Sequence, residues 1–315
     1  MKCVTIRRDG QSVPPPTTIP AVPAAYTSSR ASSRKNRVFV FRDFLRKTYG
    51  DDEYLFSNDS CVLDVAGGKG DLSWLLVNVD GLDSIVADPR LTNHAHLIKS
   101  VDFLLQHPEE AAARAIPNRP THQPLATLIP KLSKKNGSFQ VPRHLRLFVD
   151  SELVDAVRET LESNSTTKNH NNMDMTKWQV YWSRSITRGK QATTLGYQES
   201  GHSPSQISDS LVAWQTIRSL RLIVGFHPDQ ATEACIDLAI LLGIPFCVCP
   251  CCVFPTEFPD RQLTNGEGVR THADFIKYLC QKHPSVLTST LNFHNTKTAK
   301  NTVLYTAPAD MNPSR

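Results

Sequence analysis

The sequence predicts a doubly wound α/β fold, a mostly parallel sheet covered by helices on both faces. Three observations lead there. VLDVAGGKGDLSWLL (62–76) reads as a buried strand, a glycine turn and a helix that begins near Asp71. A second short apolar strand, SIVAD (84–88), follows it. Helix and strand then alternate again over Asp209–Leu220, Leu222–Gly225, Ala231–Leu242 and Pro245–Pro250. Strands that alternate with helices imply parallel neighbours.

Composition allows one such domain. The 315 residues are 40% hydrophobic and 21% charged, ordinary for a globular chain with a sizeable core. The formal charge of +5 favours acidic partners such as RNA without requiring one. Ala234–Pro255, the most apolar stretch, is broken by Asp237, Gly243, Pro245 and Pro250, so no membrane span is expected. The eight cysteines are unevenly placed, with Cys247, Cys249, Cys251 and Cys252 crowded together, which suits a reducing compartment, cytoplasmic or nuclear.

In chain order, residues 1–35 contain VPPPTTIP and SSRASSRKNR and read as a disordered, basic and Pro-rich tail. An organelle transit peptide is the alternative, although Pro14–Pro16 interrupt an amphipathic helix. The folded domain, 36–315, opens with RVFVFRDFLRKTYG, a helix ended by Gly50. His94–Gln106 reads as helix, with His94 and His96 as surface or cap residues. The Pro-rich stretch at about 108–143 reads as an extended insertion, and about 163–208 as a second, polar one. Leu145–Val149 is a short strand and Leu153–Leu161 a helix. Asp274–Gln281 is a further helix, and Leu287–Phe293 with Thr302–Thr306 form a closing antiparallel pair.

The chemistry concentrates at the first turn. A βαβ unit binds nucleotide-like ligands at the carboxyl end of its first strand, where glycines permit close approach and the helix offers free N–H groups. Gly67, Gly68 and Gly70 occupy that turn and Asp64 precedes it. Dinucleotide loops need G-x-G-x-x-G, but counted from Gly68 the last position is Ser73, and no phosphate-loop motif is present. Asp88, ending the second strand, stands where an acid takes both ribose hydroxyls.

These residues resemble motif I of the class I S-adenosylmethionine (SAM)-dependent methyltransferases, acid-x-Gly-x-Gly-x-Gly, with Ala66 in place of the first glycine. A methyl group is tolerated there if the backbone keeps a negative φ. The resemblance implies a SAM site built from Asp64, Ala66, Gly67, Gly68, Gly70 and Asp88. A second stretch, LIVGFHPDQATEACIDLAILLGIPFCVCPCCVFP, is similar to a methyltransferase-like subfamily that carries a Pro-Cys-Cys after the following strand and includes a tRNA ribose methyltransferase. Gly225, Phe226 and His227 match its first loop and Pro250, Cys251 and Cys252 its second, whereas Pro228 and Asp229 depart from it. The similarity covers roughly residues 60–90 and 220–256.

By this resemblance His227, Asp229, Cys251 and Cys252 are the catalytic candidates and RNA the acceptor. His227 would take a proton near neutral pH, with Asp229 fixing its tautomer or holding substrate. Equally, Asp229 can cap a helix that starts near Gln230. No metal site is expected: Cys247, Cys249 and Cys251 alternate along one strand face, and only Cys249 with Cys252 has zinc-like spacing. KWQVYW places Trp178, Val180 and Trp182 on one strand face, followed by Arg184, Arg188 and Lys190. That pattern fits base stacking, or an inserted strand with buried tryptophans. Arg34, Lys35, Arg37, Arg42, Arg46 and Lys47 fit phosphate contact or a solvated helix face. A non-catalytic SAM-binding or scaffold protein and a zinc-binding interaction module are the alternative functions.

Overall fold

The computed structural model describes residues 36–50, 61–117, 119, 121–165, 174–194, 205–292 and 300–311. The tail 1–35, with Arg34 and Lys35, part of the second insertion and Phe293 lie outside the described residues.

The expected α/β architecture is present as a seven-stranded sheet in the order β3-β2-β1-β4-β5-β7-β6. The strands are β1 (Cys61–Val65), β2 (Asp83–Ala87), β3 (Arg143–Leu145), β4 (Leu220–Phe226), β5 (Phe246–Cys249), β6 (Leu287–Thr290) and β7 (Thr302–Tyr305). The first five are parallel, and β7 runs antiparallel to both β5 and β6. Strand order reverses between β1 and β4, and in such sheets that switch point opens a crevice beyond the carboxyl ends of the strands.

Alternation along the central strands assigns two cores. Cys61, Leu63 and Val65 of β1, Ile223 of β4 and Val248 of β5 face one side, where they meet α6 (Ser151–Ser165), α7 (Thr176–Thr194), α8 (Ser210–Ser219), α9 (Thr232–Leu242) and α10 (His272–Gln281). Val62, Val224, Cys247 and Cys249 face the other, under α1 (Arg37–Tyr49) and α2 (Asp71–Leu75). Cys247 and Cys249 are therefore core residues, and burial pushes the Cys249 thiol up to about 12.

Three expectations are corrected. The 108–143 insertion is not extended: α4 (Pro108–Ala115) and α5 (Pro124–Leu132) pack with α3 (Ala95–Gln106) around Leu97, Val101, Leu125 and Leu132. Pro108 and Pro124 stand in first turns, where their missing N–H costs nothing, so these prolines start helices rather than break them. KWQVYW is not a strand but lies in α7. Trp178, Tyr181, Trp182 and Ser185, at i, i+3, i+4 and i+7, are buried, while Val180 is 49% exposed. Trp178 stacks among Tyr181, Trp182 and Trp214, and its Nε1 donates to the Ser210 carbonyl at 2.8 Å. These tryptophans are thus core and not a base-stacking platform. Finally, Arg42 does not lie on a solvated face. It is buried and ion-paired to Asp80, with Nε to Oδ2 at 2.6 Å, and Arg46 pairs with the same carboxylate. Among the described residues, no helix is long and apolar enough to cross a membrane.

Candidate functional site

The turn after β1 is held by its own backbone. Ala66 N–H donates to the Ala87 carbonyl at 2.8 Å, Gly70 N–H to Gly67 O at 2.9 Å, and Trp74 N–H to Gly70 O at 2.9 Å. Gly68 and Gly70 adopt φ of 59° and 83°, the left-handed region that favours glycine. Ala66 also takes φ 52°, so the negative φ expected for it is not observed, and its Cβ brings strain.

Each glycine answers a particular neighbour. A Cβ on Gly67 would lie 2.6 Å from Asp64 Oδ2, and one on Gly70 would lie 2.7 Å from His94 Cε1. Asp64 sits beneath the turn, buried, and accepts from Ser73 Oγ at 3.0 Å; Ser84 Oγ donates in turn to Ser73 Oγ at 2.9 Å. Ser73, which broke the dinucleotide pattern, thus anchors the acid. Burial outweighs these hydrogen bonds and pushes the Asp64 carboxyl up to about 7. His94 is not a surface residue: it is buried under Gly70, neither ring nitrogen has a hydrogen-bond partner, and burial lowers it to about 4.

Asp88, at the end of β2, is fully engaged. Gly68 N–H donates to Oδ2 at 2.9 Å, Arg90 N–H to Oδ1 at 2.8 Å, and the Arg90 guanidinium contributes Nε to Oδ1 and Nη2 to Oδ2, both at 3.0 Å. The Asp88 carbonyl accepts from His144 Nε2 at 2.8 Å. Sequence reasoning missed Arg90, His94 and His144. For Arg90 the signal was its position two residues after the acid, close enough for a side chain to fold back.

Beyond the strand ends lies a cleft of about 660 Å³. Ala66 and Asp88 line it from the first half of the sheet, Asp150 from just before α6 and Arg158 from within it, and Pro228 and Asp229 from the loop after β4. Asp64, Gly67, Gly68 and Gly70 do not line it. The cleft carries six carboxylates, from Asp88, Asp150, Asp155, Asp229, Glu233 and Asp237. Four guanidiniums, Arg90, Arg158, Arg188 and Arg261, oppose them, leaving a formal charge of −2 on the lining, one unit of which is offset by Lys282, ion-paired to Glu233 at 2.7 Å and Asp237 at 2.8 Å. All four arginines are ion-paired: Arg90 to Asp88 at 3.0 Å, Arg158 to Asp155 at 2.5 Å, Arg188 Nη2 to Asp150 at 2.9 Å and Arg261 Nε to Glu233 at 2.6 Å.

The loop after β4 has an unusual backbone, with His227 at φ 55° and Asp229 at φ 49° flanking Pro228. His227 is half-buried, its ring stacked 4.5 Å from that of Phe226, and Nε2 donates to the Lys300 carbonyl at 3.0 Å. That bond places the tautomer's proton on Nε2, while burial lowers the ring's pKa. The imidazole therefore sits beside the cleft, not in its wall. Asp229 does not cap a helix. It opens the single turn Asp229–Ala231 ahead of α9 and caps no backbone N–H; its Oδ1 accepts from Cys251 Sγ at 2.9 Å. Burial and the Asp229 carboxylate push the Cys251 thiol well up. Cys252 is exposed, and the Asp229, Cys251 and Cys252 ligand atoms lie within 4.8 Å of one another.

Comparison with protein-family models, curated proteins and solved structures finds no match.

Proposed function

We propose that this chain is a SAM-dependent methyltransferase whose cofactor lies in the cleft at the β1–β4 switch point. The observation that carries the reading is that cleft: its walls include the first-strand turn and the second-strand acid, and its lining is net negative. A net negative lining favours a ligand with a sulfonium and an ammonium. The residues fit such a ligand on one condition, that Arg90 releases Asp88 so that the carboxylate can accept ribose hydroxyls. The Arg90 side chain is 55% exposed, so it can swing outward without unpacking the core.

When bound, SAM supplies an electrophilic methyl group for in-line displacement. The chain supplies alignment, which accounts for much of the rate of such reactions. The turn at Ala66–Gly70 sets the floor, and Asp64 holds that turn from beneath without touching the ligand. Asp229, in the cleft wall, orients the acceptor, while His227 positions the loop. The proposed acceptor is RNA, which follows from the resemblance alone. The acidic lining admits a nucleoside and leaves its phosphates at the rim.

A second reading, a SAM-fold scaffold without turnover, is favoured by the closed Asp88–Arg90 pair and the left-handed Ala66. Calorimetric titration with SAM, run on the wild type and on Asp88→Ala, tests the cofactor site that both readings can share, and turnover then decides between them. A micromolar Kd that the variant loses supports that site and justifies a methyl-transfer screen on RNA pools. A folded wild type that does not bind SAM overturns the enzyme reading.

A further inference from the structure

We propose that Asp229, Cys251 and Cys252 form a three-ligand site for a zinc-class divalent ion at the mouth of the cleft. One carboxylate oxygen and two sulfurs lie within 4.8 Å of one another, and the closest pair, Asp229 Oδ1 and Cys251 Sγ, is 2.9 Å apart. Zinc binds sulfur at about 2.3 Å and carboxylate oxygen at about 2.0–2.2 Å, so ligands sharing one tetrahedral ion stand roughly 3.5 Å apart. From the 4.8 Å bound, the ligand atoms need to close by about 1 Å, by rotation of the exposed Asp229 and Cys252 and the half-buried Cys251 side chains.

The convergence runs against the local chain geometry. Successive side chains of an extended chain point to opposite faces, yet just beyond Pro250 Cys251 Sγ bonds Asp229 Oδ1, 22 residues away in sequence, and Cys252 Sγ lies within 4.8 Å of both. The pairing is made by β4 and β5, parallel neighbours in register at Phe226–Cys249, which bring the two following loops together. Soft thiolates with one carboxylate select zinc over magnesium or calcium. Three protein ligands leave a tetrahedral ion one position for water or substrate, the arrangement of a catalytic rather than a structural zinc. On binding, both S–H bonds break, two S–metal bonds form, and the two thiol protons, from Cys251 and from Cys252, pass to solvent.

This site does not depend on SAM binding, and its test is separate. The full chain, reduced and stripped with chelator, is titrated with Co²⁺ and the bound ion is then displaced with Zn²⁺. One equivalent of Co²⁺ with thiolate charge-transfer absorption, displaced by one of Zn²⁺, is expected. Asp229→Asn and Cys252→Ser should each weaken Zn²⁺ at least about tenfold, while Cys280→Ser, on α10, should leave it unchanged. Circular dichroism checks that each variant is folded. A folded wild type without the thiolate band overturns the proposal, as does Zn²⁺ affinity unchanged in both ligand variants or lost in Cys280→Ser.

Discussion

The carboxyl edge of the sheet has two halves that treat their polar groups in opposite ways. At β1 and β2 the acids are closed off: Asp64 is buried against Ser73, and Asp88 accepts four hydrogen bonds from Gly68 and Arg90. At β4 and β5 the groups are turned outward. Asp229 and Cys252 are exposed, Cys251 is half-buried, and His227 and Asp229 are held at positive φ. The contrast separates two jobs. The first half builds a rigid floor at a cost in buried charge, and the second displays reactive groups that contribute little to stability.

The sharpest way to break this contrast is to overfill the floor. Gly70→Val places a branched side chain at φ 83°, against His94 at 2.7 Å and Val86 at 3.0 Å. Overpacking and left-handed strain together should cost about 3–5 kcal/mol in urea unfolding. Gly81→Ala, at φ 73° with nothing within 4 Å of its Cβ, should cost only about 1 kcal/mol. Equal losses at the two sites would refute tight packing under the turn.

Next in size is the buried acid. The Asp64 carboxyl is raised from 3.8 to about 7 in the fold, so the folded state favours its protonated form. Its contribution to stability is complete below about pH 4 and is lost as pH rises to about 7. Asp64→Asn should therefore leave stability near pH 4 unchanged and raise it at pH 8 by on the order of 4 kcal/mol. A loss of stability in Asp64→Asn above about pH 4 would show instead that Asp64 is ionised with a partner.

Smaller effects sharpen the comparison. Ala66→Gly relieves a left-handed alanine at the entropic cost of a glycine, so a net gain of about 0.5–1 kcal/mol in urea unfolding is expected. Arg90→Ala should change stability by less than about 1 kcal/mol, because the guanidinium is half exposed, yet tighten SAM severalfold in calorimetry by freeing Asp88. At the other half, Asp229→Asn and Cys252→Ser should each shift metal-free stability by no more than about 0.5 kcal/mol. Larger losses there would give that half a structural role as well.

Legibility in the sequence followed the range of the interactions. The strand–turn–helix at 62–76 was readable because an apolar run, three glycines and an acid are contiguous. The helices α8, α9 and α10 were readable from apolar periodicity with turn residues at their ends. The Pro-rich stretch misled because proline starts a helix as readily as it ends one, and only packing against α3 distinguishes the two cases. Trp178 and Trp182, four apart, satisfy both a strand period of two and a helical stripe; Tyr181, buried three after Trp178, marks the helix. Among the site residues, Asp88 was visible as a strand-end acid, but not the arginine that closes it.

By itself, then, the sequence determined the parallel α/β class, the position of the glycine turn, and which half of the chain holds thiols and an imidazole. These rest on local patterns of burial and backbone freedom within a few residues. Only the tertiary structure decided that Asp64 is walled off, that Arg90 occupies Asp88, and that Asp229 meets Cys251 and Cys252. Those outcomes arise where strands distant in sequence become neighbours, and where desolvation competes with pairing over distances of a few ångströms.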